Sequence, residues 1–439
     1  MKRLVQTVVA CAVIAQMTAC SSSNTTLPPA PSTLSRIGAA PSAALTVTPA
    51  SLAFTAVGAT NAQIFTATVH GPGTLTASSN NVQVASVNPT SAQGAAQPGG
   101  DKTLTFTVTP LGAGTCTISV TDKKGNTATV SVSVTLPVST SLTVLNQYAI
   151  PSGETANGIV AGPNGSVWFT EWMNDSVGRL SSTGSEANST LDVAPFSSSK
   201  PYGIALGPDG NFWVADYSND RIVQVNSSGT ILNSFSTPYA PTHITSGPDG
   251  NLWFTEEDSS GATGFSEVVK LTTSGAMTAF PTSAVAQAAR NFAFDIVPGP
   301  DGRLWFTEGS LIGAITTDGV LSEYTVIGGQ AEYIVAGHDG NLWFTEPSGN
   351  RIGRMSTAGV SSTFSVPTMF ATPWQIDAGK DGAVWFTETG GGQLGRAAAD
   401  GTITEYPVSN LSGNSAILAA PDGNLWVTSY TGKMFVFSY

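Results

Sequence analysis

The chain has 439 residues, of which 41% are hydrophobic and only 10% are charged, and its formal net charge is −12. This length exceeds one ordinary hydrophobic core, so we expect at least two domains. The 47 glycines and 26 prolines, with abundant Ser and Thr, favour an all-β extracellular protein over a helical cytosolic one. Phosphate binding needs clustered Lys and Arg, so the acidic balance argues against a nucleic-acid partner.

The first twenty residues have the pattern of an export signal. A short basic head precedes a mostly apolar run, Leu4–Ala15, which is too short to span a bilayer. The stretch Met17–Cys20 resembles the lipobox of bacterial lipoproteins, in which the cysteine is lipidated and becomes the mature N-terminus. The alternative is an ordinary signal peptide cleaved nearby. We therefore predict a lipoprotein signal at 1–19, with the lipidated Cys20 and a disordered tether at 20–42.

The predicted lipid on Cys20 implies a membrane partner and a place in the cell envelope. Ser21, which follows the cysteine, resembles the residue found in lipoproteins sorted to the outer membrane of Gram-negative cells. Cys11 lies in the signal segment, so Cys116 is left alone and no intramolecular disulfide framework is expected.

In residues 43–137, apolar and polar side chains alternate as they do in the short strands of a β-sandwich. Roughly seven strands in this length, separated by turn clusters, predict an immunoglobulin-like domain. Cys116 is in phase with Ile118 and Val120, so we expect it on the buried face. The clearest predicted strands are Leu45–Val47, Leu52–Thr55, Ala62–Val69, Thr103–Val108, Thr115–Thr121 and Thr127–Val134.

A tryptophan recurs through residues 142–439 at the spacing of a four-stranded propeller blade. Each one follows a turn of the type Gly-Pro-Asp-Gly, whose Asp-Gly or Asn-Gly pair is expected to supply the positive-φ positions of a tight hairpin. The last unit has only three strands, and Leu145–Pro151 is predicted to supply the fourth and close the ring. The repeated residues are Trp168, Trp213, Trp253, Trp305, Trp343, Trp385 and Trp426. The fold class is thus an all-β, seven-bladed β-propeller preceded by an immunoglobulin-like β-sandwich.

The repeat Gly-Pro-Asp-Gly-x-Leu-Trp-Phe-Thr-Glu, followed by Ile-Gly-Arg, resembles the virginiamycin B lyase (streptogramin B lyase) family. The resemblance implies a propeller, Mg²⁺ as a possible cofactor, and elimination at an ester linkage of cyclic streptogramin B antibiotics. The family's catalytic histidines match Trp374 and Ser415 here. Its metal-binding glutamates match Gly413 and the stretch Ser429–Tyr430. The catalytic set is therefore not matched residue by residue.

Hairpin topology predicts that the starts of the inner strands and the ends of the second strands share one face, which could hold a ligand. Six second strands end in a carboxylate, and Glu256 and Glu308 are candidate ligands of a divalent cation. The alternative is that each carboxylate pairs locally, for instance with Arg221 or Arg351.

The inner-strand openings vary where the scaffold repeats, which is typical of a ligand-binding rim. The candidate rim residues are Trp172, Tyr202, Phe294, Glu332 and Trp374. Their aromatic rings could stack on a sugar, a ring or a peptide, or could instead pack between blades.

His243 is the one histidine predicted near this rim, and it is a candidate base with Glu256 beside it. The alternative is a hydrogen-bonded structural histidine. The leading hypothesis is a lipid-anchored binding module for a polypeptide, glycan or small cyclic ligand. A lyase with a rearranged site and a purely structural envelope protein are the alternatives.

Overall fold

The computed structural model describes residues 45–55, 59–70, 74–82, 84–93, 101–111, 114–134, 142–150, 156–181, 191–192, 199–258, 265–282, 292–411 and 413–439. The signal segment, Cys20 and the tether lie outside these residues. Within them, helix is confined to four short 3-10 turns at Ala59–Asn61, Pro163–Gly165, Tyr217–Asn219 and Pro347–Gly349. No helix in the described part of the chain is both long and apolar enough to cross a membrane.

The described residues between 45 and 134 form nine strands in two sheets. The sheets have the orders β1-β3-β7-β5 and β2-β9-β8-β4-β6. Alternate residues of the strands meet in one hydrophobic core, which includes Phe65, Phe106 and, as predicted, the buried Cys116. The strands are β1 (Thr46–Thr48), β2 (Ser51–Phe54), β3 (Gln63–His70), β4 (Thr74–Ser79), β5 (Ala85–Asn88), β6 (Ser91–Gln93), β7 (Asp101–Pro110), β8 (Gly114–Asp122) and β9 (Thr127–Val134).

The described residues from 143 to 438 form seven four-stranded antiparallel sheets. Sheets 1 to 6 are β11–β14, β15–β18, β19–β22, β23–β26, β27–β30 and β31–β34, and sheet 7 joins β35–β37 to β10. The strands are β10 (Thr143–Ala149), β11 (Ala156–Ala161), β12 (Val167–Glu171), β13 (Ser176–Leu180), β14 (Leu191–Asp192), β15 (Pro201–Leu206), β16 (Phe212–Asp216), β17 (Arg221–Val225), β18 (Ile231–Ser236), β19 (Ala240–Ser246), β20 (Leu252–Glu257), β21 (Ser266–Leu271), β22 (Met277–Pro281), β23 (Ala293–Pro298), β24 (Leu304–Glu308), β25 (Leu311–Ile315), β26 (Leu321–Thr325), β27 (Ile334–Ala336), β28 (Leu342–Glu346), β29 (Arg351–Met355), β30 (Ser361–Ser365), β31 (Pro373–Ala378), β32 (Val384–Glu388), β33 (Gln393–Ala397), β34 (Ile403–Pro407), β35 (Ile417–Ala419), β36 (Leu425–Ser429) and β37 (Lys433–Ser438).

The first strand of this region completes the last sheet. Strand β10 pairs antiparallel with β37, with Tyr148 opposite Met434, which confirms the predicted outer strand. The inner strands of successive sheets contact one another, and the inner strand of sheet 7, β35, contacts that of sheet 1, β11. Strand β10 therefore covers the edge of β37 with residues that are distant in the chain.

The seven repeated tryptophans are buried between sheets. Trp305 packs against Ile334 and Leu342 of sheet 5, and Trp426 of sheet 7 packs against Phe169 of sheet 1. In six sheets the indole N–H donates to the turn aspartate, as from Trp305 to Asp301 at 3.0 Å. The turn therefore caps the tryptophan that follows it.

The turns correct one expectation from the sequence. Only the glycine of each Asp-Gly pair has a positive φ, for example Gly302 at 80°. The preceding aspartate keeps a negative φ and is required as a hydrogen-bond acceptor instead. A second glycine, Gly353 in β29, faces the ring of Phe344, where an added Cβ would come within 2.0 Å of the ring. This contact explains the glycine of the Ile-Gly-Arg stretch.

A buried threonine in the second strand joins neighbouring sheets at the end that carries the candidate site. Thr255 Oγ1 donates to the Phe294 carbonyl of the next sheet at 2.6 Å. Thr307 makes the same bond to the Glu332 carbonyl at 2.6 Å. The inner strands are bulged at this point, as between Pro241 and Ile244. These bonds hold the variable inner-strand openings in place.

Candidate functional site

The candidate site lies where the inner strands begin and the second strands end, which we call the rim face. The antiparallel register places these ends together, as in the pairing of Pro241 with Glu256. The Gly-Pro-Asp-Gly turns lie at the other end of the same hairpins, which we call the turn face. The rim face carries nearly all the variable residues singled out in the sequence.

Six aromatic side chains form a connected cluster on the rim face, which we call the aromatic layer. Trp172 meets Tyr202 edge to face at 5.1 Å between ring centroids, and Tyr202 meets Phe294 at 5.7 Å. Phe294 contacts Tyr333 at 5.4 Å, and Tyr333 contacts Trp374 at 5.3 Å. The sixth member, Tyr217, lies 5.7 Å from Trp172. The structure thus brings the predicted aromatic rim residues together.

Polar atoms link the aromatic layer across the ring. Side-chain hydrogen bonds join Tyr202 to Tyr333 and Tyr333 to Gln375. The Gln375 amide donates to the Asn157 carbonyl and its oxygen accepts from the Ile417 amide at 3.3 Å. Burial raises the pKa of Tyr202 to about 12, so its hydroxyl stays protonated at neutral pH. The layer is therefore held by hydrogen bonds as well as by ring contacts.

His243 lies beneath this layer and not on its surface. Its imidazole contacts three aromatic rings edge to face. The distances between ring centroids are 5.0 Å to Tyr202, 4.6 Å to Phe294 and 5.4 Å to Tyr333. Nδ1 lies 3.0 Å from the Phe294 carbonyl, which can only accept, so Nδ1 carries the proton. Nε2 has no hydrogen-bond partner among the described residues, and the residue is only 8% exposed. Burial lowers its pKa, so the imidazole is neutral at pH 7.

His243 Nε2 and both carboxyl oxygens of its predicted companion, Glu256, have no hydrogen-bond partner among the described residues. Within the described residues, no hydrogen bond or ion pair joins the two side chains. His243 instead lines the central cavity, together with Asp295 of the next sheet. The catalytic role of His243 stays a prediction, and the contacts around it are those of a hydrogen-bonded, buried histidine.

Three of the second-strand carboxylates pair locally, as the alternative held. Asp216 accepts from Arg221 Nε at 2.6 Å, and Glu346 lies 2.9 Å from the guanidinium of Arg351. Glu171 accepts from the hydroxyl of Ser176. These three carboxylates are buried, and each bonds to a residue in the third strand of its own sheet.

The other three second-strand glutamates are buried, and each has a second glutamate near enough to raise its pKa. Glu256 lies directly opposite Glu267 across β20 and β21, and burial together with this neighbour raises the pKa of Glu256 to about 9. Burial also raises the pKa of Glu308 and Glu388 to about 8, with Glu405 adding to the effect on Glu388. At pH 7 all three are neutral acids.

The cation site predicted at Glu256 and Glu308 stays a prediction. No set of three or more His, Cys, Asp or Glu side chains in the described part of the chain is arranged to hold a metal ion directly. The positions matched to the family's metal-binding glutamates do not fit Mg²⁺ either. Ser429 is buried and donates to the Asn410 carbonyl at 2.7 Å, and Gly413 offers no side chain.

The positions matched to the catalytic histidines hold no base. Trp374 belongs to the aromatic layer, and Ser415 is buried with its hydroxyl 3.3 Å from the Gly413 carbonyl. Glu332 is the one predicted rim residue with an ionisable carboxyl, and burial raises its pKa. Apart from Glu332, the inner-strand openings of the rim face are therefore aromatic or neutral, and further acidic groups of this face lie at the ends of the second strands.

Sequence reasoning missed a part of the rim face that protrudes. The loop between β30 and β31 exposes Met369 by 76% and Phe370 by 78% of their surfaces. Asn350 holds this loop, because its amide donates to the Thr368 carbonyl at 2.9 Å and its oxygen accepts from the Thr372 amide at 3.0 Å. Phe370 has a φ of 59°, an unusual value for a bulky residue. This pair has no counterpart in the repeat, which is the signal that could have revealed it.

Comparison with known families gives two overlapping matches to the virginiamycin B lyase family model, at residues 102–266 and 197–435. A search of curated proteins found no match.

Three solved structures show the extent of the likeness. A streptogramin B lyase has 28% identity and a TM-score of 0.60, covering 68% of this chain and 97% of that one. A catalytically inactive virginiamycin B lyase from Staphylococcus aureus with quinupristin has 27% identity and a TM-score of 0.61, covering 68% of this chain and 100% of that one. A WD40 β-propeller domain, at 12% identity and a TM-score of 0.53 over 68% of this chain and 98% of that one, shares the fold alone.

Proposed function

Because this chain belongs to the virginiamycin B lyase family, we propose that it uses the family's fold as a ligand-binding module and not as a lyase. The observation that carries this proposal is the aromatic layer. It joins residues of sheets 1, 2, 4, 5 and 6 on the rim face, and Trp374 occupies a position where the resemblance implies a catalytic histidine. An elimination needs a base that reaches the substrate's α-proton. Here the matched positions offer an indole and a buried hydroxyl.

The proposal includes a closed, seven-bladed propeller with an immunoglobulin-like domain before it. Seven hydrophobic clusters, each containing one repeated tryptophan and residues of the next sheet, support the seven blades. The two facing sheets of residues 46–134 and their single core support the sandwich. Both features would make the rim face a rigid platform.

The composition of the rim face favours ligands that contain rings. Aromatic rings gain most from partners with flat or apolar faces, and Lys200 Nζ, 5.2 Å from the centre of Trp172, adds one positive charge at the edge. A small cyclic ligand fits this chemistry better than an extended acidic or basic polymer. Glu332 could orient a polar group of that ligand.

A streptogramin B antibiotic tests binding and turnover together. We expect its mass and retention to stay unchanged with Mg²⁺ or EDTA, as followed by liquid chromatography and mass spectrometry. We also expect saturable quenching of tryptophan fluorescence, weakened at least tenfold in Trp374→Ala. The control is Tyr430→Ala, a change of an exposed aromatic residue outside the layer. A Mg²⁺-dependent product of equal mass would show elimination and overturn the proposal.

One observation keeps a lyase as the second candidate. The free Nε2 of neutral His243 is chemically able to accept a proton. A substrate would have to displace the rings above it to reach this atom. If turnover is found, His243→Gln should abolish it, whereas an unaffected rate would place the base elsewhere.

We propose that the mature chain is held in the cell envelope by a lipid on Cys20. The motif Met17–Cys20 supports this, and the apolar run before it supports export. In bacteria that express the full chain, Cys20→Ser should move the protein from the membrane fraction to the soluble fraction and prevent labelling by a fatty-acid analogue. Cys116→Ser, a change in the sandwich core, is the matched control. Equal membrane retention of the two variants would contradict lipid anchoring.

A further inference from the structure

The centre of the ring contains a cavity that the proposed function does not use. It has a volume of about 250 Å³ and lies beneath the aromatic layer, where residues of all seven inner strands meet. The charged and titratable side chains among its described lining residues are Asp295, Asp377, His243 and Tyr333. Neither Lys nor Arg lines it. Burial raises the pKa of Asp295 and raises that of Asp377 to about 6, so a positively charged ligand would favour the ionised form of both carboxyls.

The two carboxylates are fixed by the neighbouring sheets. Asp295 Oδ2 accepts from the Ile334 amide at 2.9 Å, and Asp377 Oδ2 accepts from the Ala419 amide at 2.7 Å. Each aspartate also accepts from the amide of the residue that follows it. These bonds position the carboxylates beside the cavity but supply no countercharge.

His243 gives an independent indication that the cavity takes a ligand. Its Nδ1 is committed to the Phe294 carbonyl, so Nε2 presents a lone pair. This atom is buried and lacks a partner among the described residues, although a buried acceptor normally has one. Since His243 lines the same cavity, a ligand bound there could supply the missing donor.

The lining thus offers two carboxylates and an imidazole lone pair, which all accept hydrogen bonds. The matching ligand carries positive charge and presents only donors. A divalent cation that keeps its water shell has both properties, because its waters point their hydrogens outward. We infer that this central cavity binds a hydrated divalent cation through Asp295, Asp377 and His243.

Outer-sphere binding agrees with the geometry. The described residues contain no group of three acidic, histidine or cysteine side chains close enough to coordinate a metal directly. The cavity is large enough for several water molecules. Mg²⁺ gives up its waters reluctantly and is often held through them.

The route to the cavity is from the turn face, since the aromatic layer covers the rim side. A second cavity, of about 450 Å³, shares Val297, Val335 and Asp377 with the first. It is also lined by Asn80, Asn81 and Val82 of the sandwich. The cation site is therefore reached without displacing a ligand on the rim face.

Hexaamminecobalt(III) tests this inference, because its ammine shell does not exchange and allows only outer-sphere binding. We expect the full chain, stripped with EDTA, to bind it and Mg²⁺ competitively in isothermal titration. The double variant Asp295→Asn/Asp377→Asn should bind both ions at least tenfold more weakly. The control is Asp318→Asn, on an exposed turn outside the cavity, which should leave both affinities within twofold.

Several results would overturn the inference. They are absence of binding at millimolar Mg²⁺, binding of Mg²⁺ without hexaamminecobalt(III), or equal affinities in the double variant and the wild type. If the double variant does not fold in EDTA by circular dichroism, anomalous scattering from cobalt in wild-type crystals locates the ion instead. Density beside Asp295 and Asp377 is expected, and density only at the rim face would contradict the site. The streptogramin assay does not depend on this result.

Discussion

Replacing Trp305 with Ala is expected to lower the free energy of unfolding by about 3–5 kcal/mol. The indole is fully buried, stacks with Tyr324 at 5.6 Å, and packs against Ile334 of the next sheet. Its loss leaves a cavity between two sheets and removes the donor to Asp301. Urea denaturation followed by circular dichroism would measure the change.

Trp172→Ala is the matched control, because it removes the same side chain from a half-buried position on the rim face. It should lower the free energy of unfolding by less than about 1 kcal/mol. If the two variants lost similar amounts of unfolding free energy, the distinction between tryptophans that stabilise the fold and tryptophans on the rim surface would be contradicted. A small loss for Trp305→Ala would mean that the sheets do not depend on this contact.

Glu256→Gln is expected to stabilise the fold at alkaline pH, although it removes a carboxyl. The unfolded chain loses the Glu256 proton above about pH 4.3, whereas the folded chain keeps it because the folded pKa is about 9. The free energy of unfolding therefore falls as pH rises between these values. Gln has no proton to lose, so the variant does not show this fall. At pH 8 its free energy of unfolding should exceed that of the wild type by roughly 2–4 kcal/mol. Below pH 4 the difference should vanish.

The control for this change is Asp216→Asn, in the equivalent position of sheet 2. Asp216 is ion-paired with Arg221 and also accepts from the Ser199 hydroxyl at 2.6 Å. Its amide variant should destabilise the fold by about 1–3 kcal/mol. Chemical denaturation at pH 4 and pH 8 distinguishes the two. Destabilisation by Glu256→Gln at pH 8 would show that the carboxyl is ionised and stabilised by a partner.

Much of the architecture could be predicted because the residues that recur in the repeat have strict structural requirements. A buried indole needs a partner for its N–H, and the turn aspartate four residues earlier supplies it. The interval between tryptophans then indicates the sheet length. The outer strand of sheet 7 could be predicted from its likeness to other fourth strands. The prediction that the Asp-Gly pair supplies the positive-φ positions holds only for the glycine, because the aspartate serves as the hydrogen-bond acceptor of the tryptophan.

The site was predictable in its position but not in its chemistry. Topology placed Tyr202, Phe294 and Trp374 on one face, and the structure brings them into contact. It could not show that Tyr333 joins them or that His243 lies below them, because the direction of a side chain at a bulge depends on the next sheet. The repeated glutamates look equivalent in sequence, yet Glu346 faces an arginine and Glu256 faces another glutamate.

The sequence by itself determined the all-β class, the repeat length, the candidate face and the loss of the family's histidines at Trp374 and Ser415. These follow from local patterns, since alternation, turn residues and spacing act within one or two strands. Only the tertiary structure decided which side chains share an environment. Burial, pKa shifts and the lining of one cavity by both Asp295 and His243 arise where strands from different sheets meet, and a pattern within a single repeat does not predict them.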